Sequence, residues 1–444
     1  MVKKLHQLTI ESCRAYIQKE LFEPKDYPVA PATSPGLVGV ELETFPLRFG
    51  NAEKTLAKPV SLEETISCLK EVLQGLSIDW GKSPLAQEPL SPIRFPYGAS
   101  FQYEPGGQIE LVTPPCSSLP ALIAQLDFQQ KILADTTEKH GIHFAQVGTN
   151  PWFGAEQIGL QLDKPRYRAL QEYFSEIGPY GIQMMRQTCS LHVNLDFGKE
   201  EQTQIKRLVA ANLLVPFATA IFANSSVLEG RPTEKKSHRS FIWQQLDPKR
   251  SGIWIGKKSS LPSKEALVNA YLDFTLQAPV LHIERLGDRI FPKETTFESW
   301  LENPIEGLYP GLPDLKNHLS LLYPEIRPKG FLEIRTSDAL SKEWQLAPAF
   351  FYTGLLYSDQ ALARTLDLLL PKGEAIESLW RKASFGFASP ELLELSQSLM
   401  QLAIDGLGAL PPAFVGEAAI AKLQAFLATF TARGRSPADL EPLI

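Results

Sequence analysis

The chain of 444 residues predicts an α+β fold, a largely antiparallel sheet with helices on one face and the ligand site on the other. Three observations carry that expectation. Four short segments alternate apolar and polar residues; helical patterns separate them; and their polar sides hold carboxylates or metal-capable groups instead of the mixed charges of a solvated sheet. The segments are Val40-Glu41-Leu42-Glu43, Gln108-Ile109-Glu110-Leu111, TCSLHVNLD over 188–196, and Phe331-Leu332-Glu333-Ile334-Arg335. Strand side chains alternate between faces, so neighbouring strands put Glu41, Glu43, Gln108, Glu110, His192, Asn194 and Glu333 on one surface. Packed carboxylates repel unless protonated or neutralised, and hard divalent cations with oxygen ligands are the usual neutraliser. That face is expected to be a floor for metal ions.

The remaining elements follow in order. Ser61-Leu62-Glu63-Glu64 has the form of a capping box, and Ile66, Leu69, Val72 and Leu73 continue at helical spacing to Gly75. Pro84, Pro89, Pro92, Pro96 and Pro105 make the stretch before Gln108 a loop. Helices are expected over 122–140, ending at Gly141, over 164–174 and over 200–224, the last largely buried. A loop-like, locally basic stretch spans 243–264, and helices recur over 344–370, 390–404 and 415–431. Any cut between residues 40 and 333 would separate the acid-bearing strands. The expectation is therefore a single catalytic domain over 1–444, with a core at 36–370 and a C-terminal helical extension at 371–444.

Composition narrows the function. A net charge of -6 gives no general attraction to nucleic acid or to anionic membranes. Cys13, Cys68, Cys116 and Cys189 lie too far apart for a zinc finger, so reduced thiols and a cytoplasmic location are expected. The opening MVKKLHQLTIESC has no apolar run after its lysines, and 208–223 falls short of the roughly 20 residues that span a bilayer. Gly75 to Ser83 has one residue too many for a Walker A loop, and Pro84 stands where its helix would start. Any use of ATP must therefore run through metal ions on the acid-lined sheet.

Glu104-Pro105-Gly106-Gly107 adds a tight turn between two acids, and an ordinary Pro-Gly turn is its bland reading. His192, between Ser190 and Asn194, is either a hydrogen-bonded core histidine or a ligand. Arg166, Arg239, Arg250 and Arg335 are candidates for binding an anionic substrate, although a surface ion pair is the commoner fate of a lone arginine. Trp243 either walls the pocket or packs in the core.

Seven blocks then occur in one order: Gly39-Val40-Glu41-Leu42-Glu43, Glu104 to Leu111, Met184 to Cys189, Val193 to Phe197, Arg239-Ser240-Phe241-Ile242-Trp243, Asn317-His318-Leu319 and Glu333-Ile334-Arg335. On them the chain resembles the plant-type (second) family of glutamate-cysteine ligases, which has a glutamine-synthetase-like fold. LTIESCRAYI and Arg433 to Asp439 resemble its bacterial branch that serves ergothioneine synthesis. The resemblance implies ATP and Mg²⁺ as cofactors, glutamate and cysteine as substrates, a γ-glutamyl phosphate intermediate, and a monomer or homodimer. It makes Glu41, Glu43, Glu104, Glu110 and Glu333 metal ligands, with Glu41, Glu110 and Arg335 catalytic. It places Thr188, Ser190, Arg239, Trp243 and Arg166 around glutamate. Gln108, His192, Asn194, Arg250 and Arg335 fall to the nucleotide and its metals. Plant relatives usually have Gln at the position of His192 and Thr-Asp-x-Asp where this chain has Gln244-Gln245-Leu246-Asp247. A different amine acceptor therefore stays open, as does, at greater distance, a guanidino-kinase-like phosphotransferase.

Overall fold

The alternating segments pair with one another in the computed structural model, which describes residues 7–25, 34–50, 57–76, 90–256, 259–287 and 294–440. Pro84 and Pro89 of the expected loop, and Gly81 to Ser83, lie outside the described residues. The nine-stranded sheet contains β1 (Val38–Phe49), β2 (Ala57–Pro59), β3 (Ile93–Arg94), β4 (Ser100–Tyr103), β5 (Ile109–Val112), β6 (His143–Ala145), β7 (Ser190–Leu195), β8 (Ile326–Pro328) and β9 (Leu332–Asp338). Its order is β8-β9-β7-β1-β5-β4-β3, with β2 and β6 on the far half of β1, and its pairings are antiparallel.

Register decides what shares a face. Glu43 lies opposite Glu110, Glu41 opposite His192, and Asn194 opposite Glu333. Directly opposed residues project to the same side. On the reverse side Val40, Leu42, Ile109, Leu111, Leu191, Val193, Leu195, Leu332 and Ile334 are at most 1% exposed. Each such side chain contributes roughly 1.5–3 kcal/mol of transfer free energy, which holds the acidic side in place by default. In β9 the register shifts between Ile334 and Ser337, so Arg335 and Thr336 together face His192 in a bulge.

Helices cover the apolar side. Leu62–Gln74 starts at Ser61, whose Oγ accepts the Glu64 N–H at 3.1 Å; the Glu64 carboxylate pairs with Arg48 instead of closing the capping box. Leu119–His140 stops at Gly141, whose φ of 66° is the left-handed conformation that ends a helix. Glu201–Ile221 runs buried through Pro216. The single helix expected over 344–370 is two, Ala347–Tyr357 and Asp359–Leu369, because extended Ser358 breaks the first and caps the second. Helices also reach the acidic side. Pro165–Ile177, Tyr180–Gln187 and His238–Gln245 roof part of it, and the last of these lies where the sequence begins to read as loop, its His-Arg-Ser start hiding any apolar period.

Among the described residues no helix is long and apolar enough to cross a membrane, and the four cysteines are free. Pro390–Ala409 packs on Ala347–Tyr357 at glycine contacts: a Cβ at Gly354 would overlap the Ala403 carbonyl, and one at Gly406 the Gly354 carbonyl. Alanine normally stabilises a helix by about 1 kcal/mol over glycine. Gly354→Ala is nevertheless expected to destabilise the protein by about 1–3 kcal/mol through overpacking, read as a lower urea midpoint at unchanged slope. A gain in stability would show that the helices do not need this approach.

Candidate active site

The acidic side of the sheet forms a cavity of about 250 Å³. Glu41, Glu43, Glu104, Gln108 and Glu110 line it together with Thr188, His192, Glu333 and Arg335, while Arg166, Tyr167, Leu170, Met184, Met185 and Trp243 come from the roofing helices. A larger cavity of about 510 Å³ beside β6 is lined by no carboxylate, so the chemistry is assigned to the smaller one.

The floor is built from short polar contacts. Glu41 accepts from Asn194 Nδ2 at 2.9 Å and meets His192 Nδ1 at 3.1 Å. Glu43 accepts from the Ser190 N–H at 2.6 Å and its Oγ at 3.0 Å, and Ser190 Oγ lies 2.8 Å from His192 Nε2. Ser190 and Asn194 therefore brace the acids from below. Glu104 arrives on the turn between β4 and β5. Gly107 there has a φ of 84°, and a Cβ on Gly106 would lie 2.6 Å from Arg186 Cα, so the turn requires both glycines. Gln108 is tied through Nε2 to the Thr188 carbonyl at 3.0 Å.

Electrostatics separate these acids. Burial, then repulsion from Glu41, Glu104 and Glu43, pushes Glu110 well above the ordinary carboxylate range. Burial and Glu43 likewise push Glu104 up to about 8 against the pull of Arg335 and Arg166. Burial and Glu333 also raise Glu41, but the His192 hydrogen bond and charge, with Lys329, outweigh them and leave it low. At Glu333 burial is overcome by Arg327, Lys329 and Arg335, at 3.2, 3.5 and 3.4 Å, and the group stays ionised.

Two sets of donors fit divalent cations. Ligand atoms of Glu43, Glu104 and Glu110 lie within 4.8 Å of one another, as do those of Glu41, Glu110 and His192. Two oxygens on opposite sides of one magnesium ion are about 4.2 Å apart, so little closure is required. Glu333, expected as a further ligand, belongs to neither set and pairs with three cations.

Two arginines depart from expectation. Arg250 is not available to a nucleotide: fully buried, it holds Asp247 and the carbonyls of Leu321 and Pro279 at 2.7–2.9 Å. Arg239 does not line the cavity, because its guanidinium turns to the Arg335 and Thr336 carbonyls. Arg166, Thr188, Trp243 and Arg335 do line it. Sequence reasoning missed Arg327 and Lys329. The signal was Pro328-Lys329-Gly330, a turn that folds β8 back on β9 and sets Arg327 opposite Glu333.

The chain is similar to proteins already known. A family model described as glutamate-cysteine ligase family 2 (GCS2) matches residues 37–388. The chloroplastic glutamate-cysteine ligases of Nicotiana tabacum and Arabidopsis thaliana are each 31% identical over 385 residues, covering 83% of this chain and 70% of theirs. Glutamate-cysteine ligase A of Oryza sativa subsp. japonica is 31% identical over 83% of this chain and 74% of its own. A solved complex of the prokaryotic ubiquitin-like protein Pup with its ligase PafA aligns with 91% of this chain and 64% of that one. Its 15% identity and TM-score of 0.39 are too low to argue from.

The raised acids set a pH dependence. Glu104 and Glu110 hold protons in the folded, cation-free protein at pH values where the unfolded chain has lost them. Their contribution to stability is therefore present below the unfolded carboxylate pKa of about 4.5 and is lost as pH rises through the folded values, for Glu104 about 8. Adding Mg²⁺ at neutral pH is expected to release about one to two protons into weak buffer, with affinity increasing up to about pH 8. Binding without proton release would remove these two acids from the cation sites.

Proposed function

The chain belongs to glutamate-cysteine ligase family 2, and we propose from that premise that it joins the γ-carboxylate of L-glutamate to the amine of L-cysteine, with ATP converted to ADP and phosphate. The observation that carries this reading is the pair of carboxylate sets on the cavity floor, faced by Arg327, Lys329 and Arg335 on one wall. Glu41, Glu43, Glu104 and Glu110 would hold Mg²⁺, with His192 fixing the Glu41 carboxylate, and the ion would supply positive charge that offsets repulsion between the substrate carboxylate and the nucleotide phosphates.

The side chains then divide the work. Arg335, with Arg327 and Lys329 beside it, places guanidinium and ammonium donors where phosphoryl oxygens gain charge. An oxygen of the γ-carboxylate attacks the terminal phosphorus, and the bond to ADP breaks. The neutral amine attacks the carbonyl carbon of γ-glutamyl phosphate, phosphate leaves with the oxygen it received, and the nitrogen gives up one proton, which the departing phosphate can carry away. Tyr167, Leu170, Met184, Met185 and Trp243 form an apolar wall suited to the acceptor's CH₂–SH group. Buried Cys189, its thiol pushed well up in pKa by burial and then by Glu43, is no nucleophile in this scheme. Residues 1–444 act as one catalytic unit on small molecules in the cytoplasm, although the named relatives are chloroplastic. A place in ergothioneine synthesis rests on the terminal motifs alone.

ADP release from ATP, glutamate and a panel of amines, with mass detection of the product, tests the reaction. Cysteine is expected to give γ-glutamylcysteine; faster turnover with another amine would reassign the acceptor. Glu41→Gln keeps shape and loses charge, and kcat is expected to fall by about 10²–10³ with the fold retained. Near-normal turnover of this variant at saturating Mg²⁺ would count against the metal assignment.

A further inference from the structure

Glu104 reaches the cavity on a turn, and among the described residues its carboxylate takes no hydrogen bond. Where it stands is therefore decided by the main chain of Pro105, Gly106 and Gly107. Within the turn the Gly107 N–H donates to the Glu104 carbonyl at 2.9 Å and the Glu104 N–H to the Gln108 carbonyl at 3.0 Å. The carbonyls of Pro105 and Gly106 find their partners outside it.

Gln161 supplies those partners. Its main-chain N–H donates to the Pro105 carbonyl at 2.8 Å, and its Nε2 donates to the Gly106 carbonyl at 3.1 Å and the Ile158 carbonyl at 3.3 Å. Its Oε1 accepts at 2.5 Å from the Leu62 N–H, one of the first amides of helix Leu62–Gln74, which have no partner inside the helix. The amide thus uses both donors and its acceptor, and these contacts fix which way it faces. It also lies directly against the turn: a Cβ at Gly107 would come within 2.8 Å of its carbon, nitrogen and oxygen. On the other side of the turn stands Arg186, whose Nη1 donates to the Ala155 carbonyl at 2.9 Å, in the short helix Ala155–Ile158 that ends just before Gln161. One side chain therefore ties the glycine turn to Ala155–Ile158 and to a helix on the apolar side of the sheet. Gln161 itself does not line the cavity.

We propose that Gln161 is a positioning residue for the cation sites: it clamps the Pro105-Gly106-Gly107 turn so that the Glu104 carboxylate stands within reach of Glu43, Glu110 and the divalent ion they would share. A donor with no contact of its own keeps its place only as well as its backbone is held, and partners one layer out from a metal are worth about ten- to a hundredfold in affinity. The inference rests on the ligase reading above and deepens its metal site.

Calorimetric titration of Mg²⁺ into the nucleotide-free protein, with Mn²⁺ binding followed by electron paramagnetic resonance as a second readout, tests it on the wild type, Gln161→Met, Glu104→Gln and the double variant. Methionine fills similar space and makes none of the side-chain hydrogen bonds; Gln161→Ala replaces it if thermal melts show that it does not fold. Gln161→Met is expected to weaken Mg²⁺ binding about tenfold or more, and to cost nothing further in the Glu104→Gln background, because residues acting as one unit are not additive. In turnover the Mg²⁺ requirement is expected to rise by a similar factor, with kcat at saturating Mg²⁺ within about threefold of wild type. Ser61→Ala removes the cap of helix Leu62–Gln74 and is expected to lower the melting temperature while leaving Mg²⁺ affinity within about twofold. Unchanged Mg²⁺ affinity in folded Gln161→Met would overturn the proposal and leave Gln161 as a helix cap. An equal loss in Ser61→Ala, losses that multiply in the double variant, or a wild type that binds neither ion would overturn it as well. A wild type that binds Mg²⁺ without turnover defeats the ligase reading instead, and the titrations still judge the clamp.

Discussion

Repulsion between carboxylates is the constraint on which the rest of the molecule depends. Glu41, Glu43, Glu104 and Glu110 come from two strands and a turn, and acids so close in a partly enclosed cavity cannot all ionise without compensating charge. The compensation divides in space. Glu41 is steadied by His192 and Asn194, and Glu333 by three cations, whereas Glu104 and Glu110 have no equivalent support. The unsupported pair is what a divalent ion would satisfy.

The fold keeps this unfavourable cluster together by making separation worse. Each acidic strand has a fully buried reverse side, so a one-residue slip would bring carboxylates into the apolar layer and leucines into the cavity. The glycine turn before β5 brings Glu104 within reach, and close helix contacts behind the sheet at Gly354 and Gly406 hold the support rigid. Rigidity matters because preorganised charge stabilises a transition state only when it does not reorganise during the reaction.

Much of this was legible in the sequence, for reasons visible residue by residue. Alternation with a period of two identified the strands carrying Glu41, Glu110, His192 and Glu333, and each sits on the face it was assigned. Pairing partners were not legible. Arg327 and Lys329 lie outside the alternating segments, and their relation to Glu333 exists only once the hairpin closes. The arginines were misread for a related cause: residue type states what Arg239 and Arg250 are able to bind, whereas burial and neighbouring carbonyls decide what they do bind. The helix containing Trp243 was hidden because its helical character comes from a cap and from packing, with no apolar stripe.

Glu110 belongs to both donor sets. A carboxylate common to two candidate cation positions would couple them, because filling one would fix and ionise the very group the other needs. Occupancy of either position would then change the affinity of the other, and by the same factor in both directions.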